Sequence, residues 1–300
     1  VAFKNFNELI QSMSKETSTK VVAVAVAEDK NTLEATCRAF HNNIAVPVLV
    51  GDKANILKIL DTLGEAASTY KIIDAENEKE AAKIAVALVR DGEADFLMKG
   101  KIHTAALLHE VVDKENGLHA GGNMSMMAFF ELPGYPKLIS ATDGGMVMYP
   151  DLEQKKRIIQ NAVGVYHALG VMTPKVAVLA AVEVANPKMP EAMDGAALKQ
   201  MNLRGEITGC VVEGPISYDL AMSKKAAELK CFDSPVCGDA DILVVPDIAT
   251  GNILGKALVV SAGATMAGFV VGAKAPIALT SRGSSAQDKY LSLVLSAAAV

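Results

Sequence analysis

Short apolar runs without polar alternation recur along the chain, each followed by a longer stretch whose apolar positions return every three or four residues. Residues 21–27, 47–50, 71–74 and 96–98 are runs of the first kind and predict strands. Residues 32–41, 55–63 and 78–90 are of the second kind and predict helices. Strands with no polar face are covered on both sides, and their alternation with helices makes parallel βαβ units. Asn77 with Glu80 has the form of a capping box, and Gly92 stands where the helix over 78–90 stops. Residues 124–131 and 137–142 read as extended pieces on either side of the turn Pro133-Gly134-Tyr135-Pro136. A long helix over 152–169 follows, capped by Asp151 and Gln154 and ended by Gly170. Ile158, Ile159, Ala162, Val163 and Tyr166 form its apolar face.

The first pattern then returns. Residues 20–28 (KVVAVAVAE) are echoed at 175–183 (KVAVLAAVE), and 94–98 (ADFLM) at 240–244 (ADILV). The echo reads either as an internal repeat or as the common composition of buried strands, and the sequence leaves both open. Two α/β units emerge, with a seam near 143–150: one over 1–145, the other over 146–279. A last strand–helix pair, 276–280 and 284–299, leaves open whether the segment 280–300 packs back on the first unit.

The length of 300 residues fits two domains of ordinary size, and 51% hydrophobic against 21% charged residues excludes a disordered or fibrous chain. Lys and Arg number 29 against 34 Asp and Glu, a net charge of −5. That balance lacks the basic excess a nucleic-acid partner calls for, yet leaves room for a small phosphorylated ligand. Four scattered cysteines (Cys37, Cys210, Cys231 and Cys237) make no disulfide framework and favour a reducing cytoplasm. Mean hydropathy is +0.26. The longest uncharged run, 257–273, is nevertheless broken by Gly263, Gly268 and Gly272 and falls short of the roughly 20 apolar residues of a membrane span. The opening Val-Ala-Phe-Lys-Asn-Phe lacks a signal-peptide pattern, so the expectation is a soluble, non-membrane chain.

Several chemistries fail on spacing. No Gly-x-Gly-x-x-Gly follows a strand, and Gly251-Asn-Ile-Leu-Gly255-Lys256 is one residue short of a P-loop and lacks its Ser/Thr. No His-Glu-x-x-His or Cys-x-x-Cys is present, so no metal site is expected. Cys37 falls mid-helix and Cys210 mid-strand, where cysteine is inert.

Three strand-end loops remain. Ser281-Arg282-Gly283-Ser284-Ser285 follows an apolar strand and opens the last helix, the usual ligand position of open α/β sheets. Free N–H groups and the helix dipole favour an anion there, and Arg282 adds a forked cation suited to phosphate. Ser285 with Asp288 reads equally well as an ordinary helix cap. Val245–Lys256 is a second such loop, with Asn252 at the expected cap, and Met98-Lys99-Gly100-Lys101-Ile102-His103-Thr104 is a third. Together they point to one anion-binding cleft.

At these loops the chain resembles the phosphate acetyltransferase/phosphate butyryltransferase family, from about residue 15 to the end. The carriers are Met98–Thr104, Val212-Glu-Gly-Pro-Ile-Ser-Tyr-Asp219, Pro246-Asp-Ile-Ala-Thr-Gly-Asn-Ile253, and Ser281-Arg282-Gly283 with Asp288. Ala185–Ala192 and Gly205–Gly209 look like the butyryl branch. The resemblance implies two α/β domains with mainly parallel sheets around a central cleft, an isocitrate/isopropylmalate dehydrogenase-like architecture. It also implies a homodimer that moves an acyl group between coenzyme A and inorganic phosphate, with acyl-CoA, phosphate and acyl phosphate as partners and no permanently bound cofactor. Carried over, the catalytic residues are Ser281, Arg282 and Asp288. Lys99, Lys101, Thr104, Ser125, Gly251, Asn252 and Gly283 are the expected phosphate- and acyl-binding set. Arginines that acetyl-type relatives place near the coenzyme's nucleotide have no counterpart here, so no coenzyme-binding residues are assigned.

In that setting Asp288 takes the thiol proton, Ser281 positions the sulfur, and Arg282 holds phosphate and the developing oxyanion. An acetyltransferase is the alternative. A non-catalytic coenzyme-A-binding domain and an oxidoreductase on a related fold rank behind it, the latter lacking a nicotinamide fingerprint.

Overall fold

A computed structural model describes residues 3–281 and 283–300. Phe6–Met13 forms α1. Lys20–Ala25 (β1), Lys30–His41 (α2), Ala45–Gly51 (β2), Lys53–Leu63 (α3), Lys71–Asp74 (β3), Glu78–Arg90 (α4), Phe96–Lys99 (β4) and Thr104–Val111 (α5) follow in alternation. Next come Ser125–Glu131 (β5), Ile139–Thr142 (β6), Leu152–Ala168 (α6), Lys175–Leu179 (β7) and Pro190–Leu203 (α7). Val211–Ile216 (β8), Tyr218–Met222 (α8), Lys224–Leu229 (α9), Ile242–Val244 (β9) and Ile248–Ala262 (α10) succeed them. The chain closes with Thr265–Val271 (β10), Ile277–Ala278 (β11) and Ala286–Ala298 (α11).

The chain divides into two compact units. One holds Phe6–Gly122 and Ala267–Val300; the other holds Asn123–Met266 with the described residues before Phe6. In the first, strand order is β3-β2-β1-β4-β11-β10. All its pairings are parallel except β10 with β11. In the second the order is β5-β6-β9-β7-β8, with only β5 and β6 antiparallel. This is the mainly parallel α/β class that buried, non-alternating strands require.

The seam differs from the sequence expectation near 143–150: it falls after Gly122 and again after Met266. The cause is strand pairing. β6 runs beside β9 with Ser140 opposite Ile242, which draws β5 and β6 into the second unit. The C-terminal segment belongs to the first unit, where β11 lies parallel to β4 and α11 packs on α2. Arg38 of α2 stacks 4.0 Å over the Tyr290 ring, and Asn42 Nδ2 donates to the Tyr290 hydroxyl at 2.8 Å. The pattern reading also passed over α1, although Phe6, Leu9 and Met13 are buried at helical spacing.

The echoed strands play matching parts. At the base of β1 and β4, Val21 N donates to Asp95 Oδ2 at 2.6 Å while Asp95 N donates to Val21 O at 2.8 Å. At the base of β7 and β9, Lys175 N donates to Asp241 Oδ2 and Asp241 N to Lys175 O, both at 2.8 Å. The same Ala-Asp pair thus starts a parallel strand pair in each unit, but it meets Val21 in one and Lys175 in the other, one residue out of register with the echo of 20–28 at 175–183, so repeat and shared composition both stay open.

Caps close the helices as their sequences dictate. Asp151 and Gln154 form a full capping box on α6, and Gly170 takes a left-handed φ of 80° beyond its end. α7 meets β8 so closely that a Cβ on Gly195 would lie 2.8 Å from Pro215 Cα. Alanine would gain up to about 1 kcal/mol of helix propensity. Overpacking against a buried strand backbone costs about 1–3 kcal/mol and outweighs that gain. Gly195→Ala is therefore expected to lower the urea-unfolding midpoint, by up to about 2 kcal/mol in stability; an unchanged or raised midpoint would show that α7 can slide on β8.

Candidate functional site

The loop after β4 is built on close backbone approach. Gly100 N donates to Ala25 O at 2.9 Å and Lys101 N to Val26 O at 2.8 Å, extending the β1–β4 ladder past both strand ends. A Cβ on Gly100 would lie 2.1 Å from Val26 O, so only glycine fits. Val26 itself has φ 59°, a left-handed conformation that a β-branched residue adopts only under strain. Ile102 is buried and anchors the loop, leaving Lys101 and Thr104 exposed.

Lys99 does not reach solvent. It is 1% exposed, and its Nζ donates to Thr280 O at 3.3 Å and weakly to Gly100 O at 3.5 Å. Its ammonium therefore ties the β4 loop to the residue preceding Ser281. Ser281 and Gly283 are exposed, Ser281 O accepts from Ser284 N at 3.1 Å, and Arg282 lies outside the described residues. The capping box anticipated for α11 is present: Asp288 Oδ2 accepts from Ser285 N at 3.0 Å and Ser285 Oγ from Asp288 N at 3.1 Å. Asp288 is half-buried. Asn31 Nδ2 holds the loop from α2 by donating to Ser284 O at 3.2 Å. One residue past Asp288, Lys289 is buried with Nζ 3.8 Å from Asp29 Oδ2, and burial pushes its pKa below the usual lysine value.

Lys99, Lys101, Thr104, Ser281, Gly283 and Asp288 thus belong to the first unit; Ser125, Gly251 and Asn252 belong to the second. Ser125 is fully buried, with its Oγ accepting from Asn161 Nδ2 at 3.2 Å. Asn252 is exposed on α10. It does not cap that helix. Asp247 does, accepting from Thr250 N at 2.8 Å, because α10 begins soon after β9 and five residues earlier than the glycine pattern indicated. Gly251 is buried where α10 touches the loop after β6: a Cβ there would lie 2.7 Å from Gly144 Cα.

That loop is organised by Asp143, which the sequence reading missed. Its carboxylate, 2% exposed, accepts from Met126, Gly145, Met146 and Val147 N–H groups at 2.9–3.0 Å. Burial raises its pKa against the pull of those four donors. The available signal was an Asp before a Gly-Gly pair, the composition of a side-chain-nucleated turn. Beside it, a pocket of about 250 Å³ lies between α10 and the face of β5 and β6. Cysteine chemistry has no support here: burial pushes Cys37 and Cys210 up to about 11, so both stay thiols near neutral pH. Cys210 sits immediately before β8 and not within it.

Parallel sheets with glycine-, lysine- and serine-bearing loops at their strand ends define an α/β protein built to take a small ligand. The chain belongs to the phosphate acetyl/butaryl transferase family, whose pattern matches residues 75–297. It is 44% identical to the phosphate butyryltransferase of Clostridium acetobutylicum, over 98% of this chain and 97% of that one. It is 45% identical to the phosphate acetyltransferase of Thermotoga maritima, over 93% and 94%. Among solved structures, a branched-chain phosphotransacylase from Enterococcus faecalis superposes with a TM-score of 0.84 at 32% identity, covering 94% of this chain and 99% of that one.

Because the Gly100 contact is backbone against backbone, Gly100→Ala must part the β4 loop from β1. We expect a loss above about 2 kcal/mol, read as a fall of several degrees in thermal midpoint. Lys101→Ala, on the exposed side of the same loop, should stay within about 0.5 kcal/mol of wild type. Equal midpoints for the two variants would contradict the close approach.

Proposed function

We propose that the protein exchanges an acyl group between coenzyme A and inorganic phosphate, acyl-CoA plus phosphate giving acyl phosphate plus CoA, reversibly and in a ternary complex. The observation that carries this reading is the family match over most of the chain, together with the exposed Ser281 loop at the start of α11. In the forward direction a phosphate oxygen attacks the thioester carbonyl, the C–S bond breaks, and the departing sulfur takes a proton. In reverse the thiol gives its proton to Asp288 as sulfur attacks the acyl carbon and the C–O bond to phosphate breaks. Ser281 positions the sulfur, and Arg282 holds the phosphate and offsets charge on the carbonyl oxygen. Lys101, Thr104 and Gly283 add donors from exposed positions of the first unit, and Asn252 adds one from an exposed position on α10. Lys99, Ser125 and Gly251 support those loops from buried ones. No covalent enzyme intermediate is needed, since placing both substrates together supplies much of the acceleration. Coenzyme A is a substrate in this reading, not a resident cofactor, and the working form is a cytoplasmic homodimer. Relatives named for butyryl and for acetyl transfer are almost equally similar, so they do not set the acyl length.

Release of free thiol from butyryl-CoA and acetyl-CoA, measured with and without phosphate, tests the activity. Phosphate-dependent release with at least one of them is expected; none with either would overturn it. Asp288→Asn separates the proton-transfer role from the cap. The amide oxygen can still accept from Ser285 N, so stability should change by about 1 kcal/mol or less. Turnover should fall roughly 10²- to 10⁴-fold. Near-full activity would leave Asp288 a cap and nothing more.

A further inference from the structure

We propose that the pocket against α10 in the second unit seats the acyl chain, and that Gly255 sets its depth. This rests on the acyl-transfer reading above. The pocket measures about 250 Å³ and is walled by Met126, Phe130, Val259 and Met266, with Gly251 and Gly255 along the helix side. Among the described residues that line it, only Asn252 and Lys256 carry polar side chains. Each stands one residue after a pocket glycine, so a polar stripe runs along α10 beside the bare one. A short acyl group has the same two-part character, an apolar tail and a polar carbonyl.

The two glycines have different reasons to exist. Gly251 is forced, because a Cβ would strike Gly144 Cα at 2.7 Å. Gly255 is not. A Cβ there would meet only the tip of Phe130, at 3.5 Å, an ordinary van der Waals contact. A mid-helix glycine is less stable than alanine by about 1 kcal/mol, and at Gly255 no backbone contact accounts for it. What Gly255 keeps is empty space beside Phe130. At roughly 30 Å³ for a water-sized group, the pocket has room for a four-carbon or a branched five-carbon chain, well beyond an acetyl methyl. Burying two further carbons is worth about tenfold in kcat/KM.

Wild type should therefore use butyryl-CoA about tenfold better than acetyl-CoA at saturating phosphate. Gly255→Leu fills the space, and the butyryl-to-acetyl ratio of kcat/KM should fall at least tenfold, with Gly255→Ala intermediate. Both changes favour the helix, so thermal midpoints report whether either variant is misfolded, and Gly255→Ala decides if the leucine is not tolerated. Met266→Ala should shift preference toward isovaleryl-CoA. Calorimetric binding of butyryl-CoA and acetyl-CoA separates the two ideas. No thiol release, with a butyryl preference in binding that Gly255→Leu abolishes, sinks only the activity. A ratio within twofold of wild type in both Gly255 variants, in turnover or in binding, overturns the pocket assignment.

Discussion

The buried ammonium of Lys99 is the interaction on which the first unit's loops depend. An ammonium withdrawn from water is costly by several kcal/mol unless oxygen acceptors surround it. Here they include the carbonyls of Gly100 and Thr280, one on the loop leaving β4 and one on the residue before Ser281. Satisfying the charge therefore fixes two loops that are far apart in sequence. Lys289 repeats the device one turn into α11, its ammonium facing the Asp29 carboxylate that also caps α2 through Thr32 N. The exposed positions Ser281, Gly283, Lys101 and Thr104 sit above this framework.

The second unit solves the same problem with the opposite charge. Asp143 gathers four backbone N–H groups from β5 and from the turn after β6, and that turn receives the glycine face of α10. Hydrogen bonds to a charged acceptor are roughly twice as strong as neutral ones. A carboxylate with four such donors makes a stiff corner out of a segment containing two glycines, which would otherwise be the loosest part of the unit. In each unit one buried charged group thus orders the strand-end segments from below.

How much of this was legible in the sequence follows from how local each signal is. The boxes at Asp151/Gln154 and Ser285/Asp288 were readable because each lies within four residues. The Ala-Asp echo was visible as sequence, but its meaning came only with the paired bonds Asp95–Val21 and Asp241–Lys175. The contact seam differs from the sequence reading because β6, with β5 beside it, pairs with β9 about a hundred residues later, a pairing no local pattern carries. The cap of α10 was misplaced because Asn252 and Gly251 looked like a helix start, when Gly251 answers to Gly144 across the fold. Lys99 stood in the expected phosphate- and acyl-binding set, and its burial was not legible because its partner Thr280 is remote in sequence.

The double duty proposed for Asp288 is physically coherent. Carboxylates as a class are weaker bases than thiolates by about four pK units, so proton transfer to one is favourable only as the S–C bond forms. Such a concerted step tolerates little positional error, because the carboxylate must already point along the S–H direction when sulfur attacks. A side chain free to rotate would lose that alignment. The bond from Ser285 N to Oδ2 removes the freedom by anchoring one carboxylate oxygen, and the reciprocal bond from Asp288 N to Ser285 Oγ anchors the backbone beneath it. Asn31 adds a further tether at Ser284. On the proposed reading, the capping box is the means by which a weak base is held still enough to act, and cap and proton transfer reinforce each other.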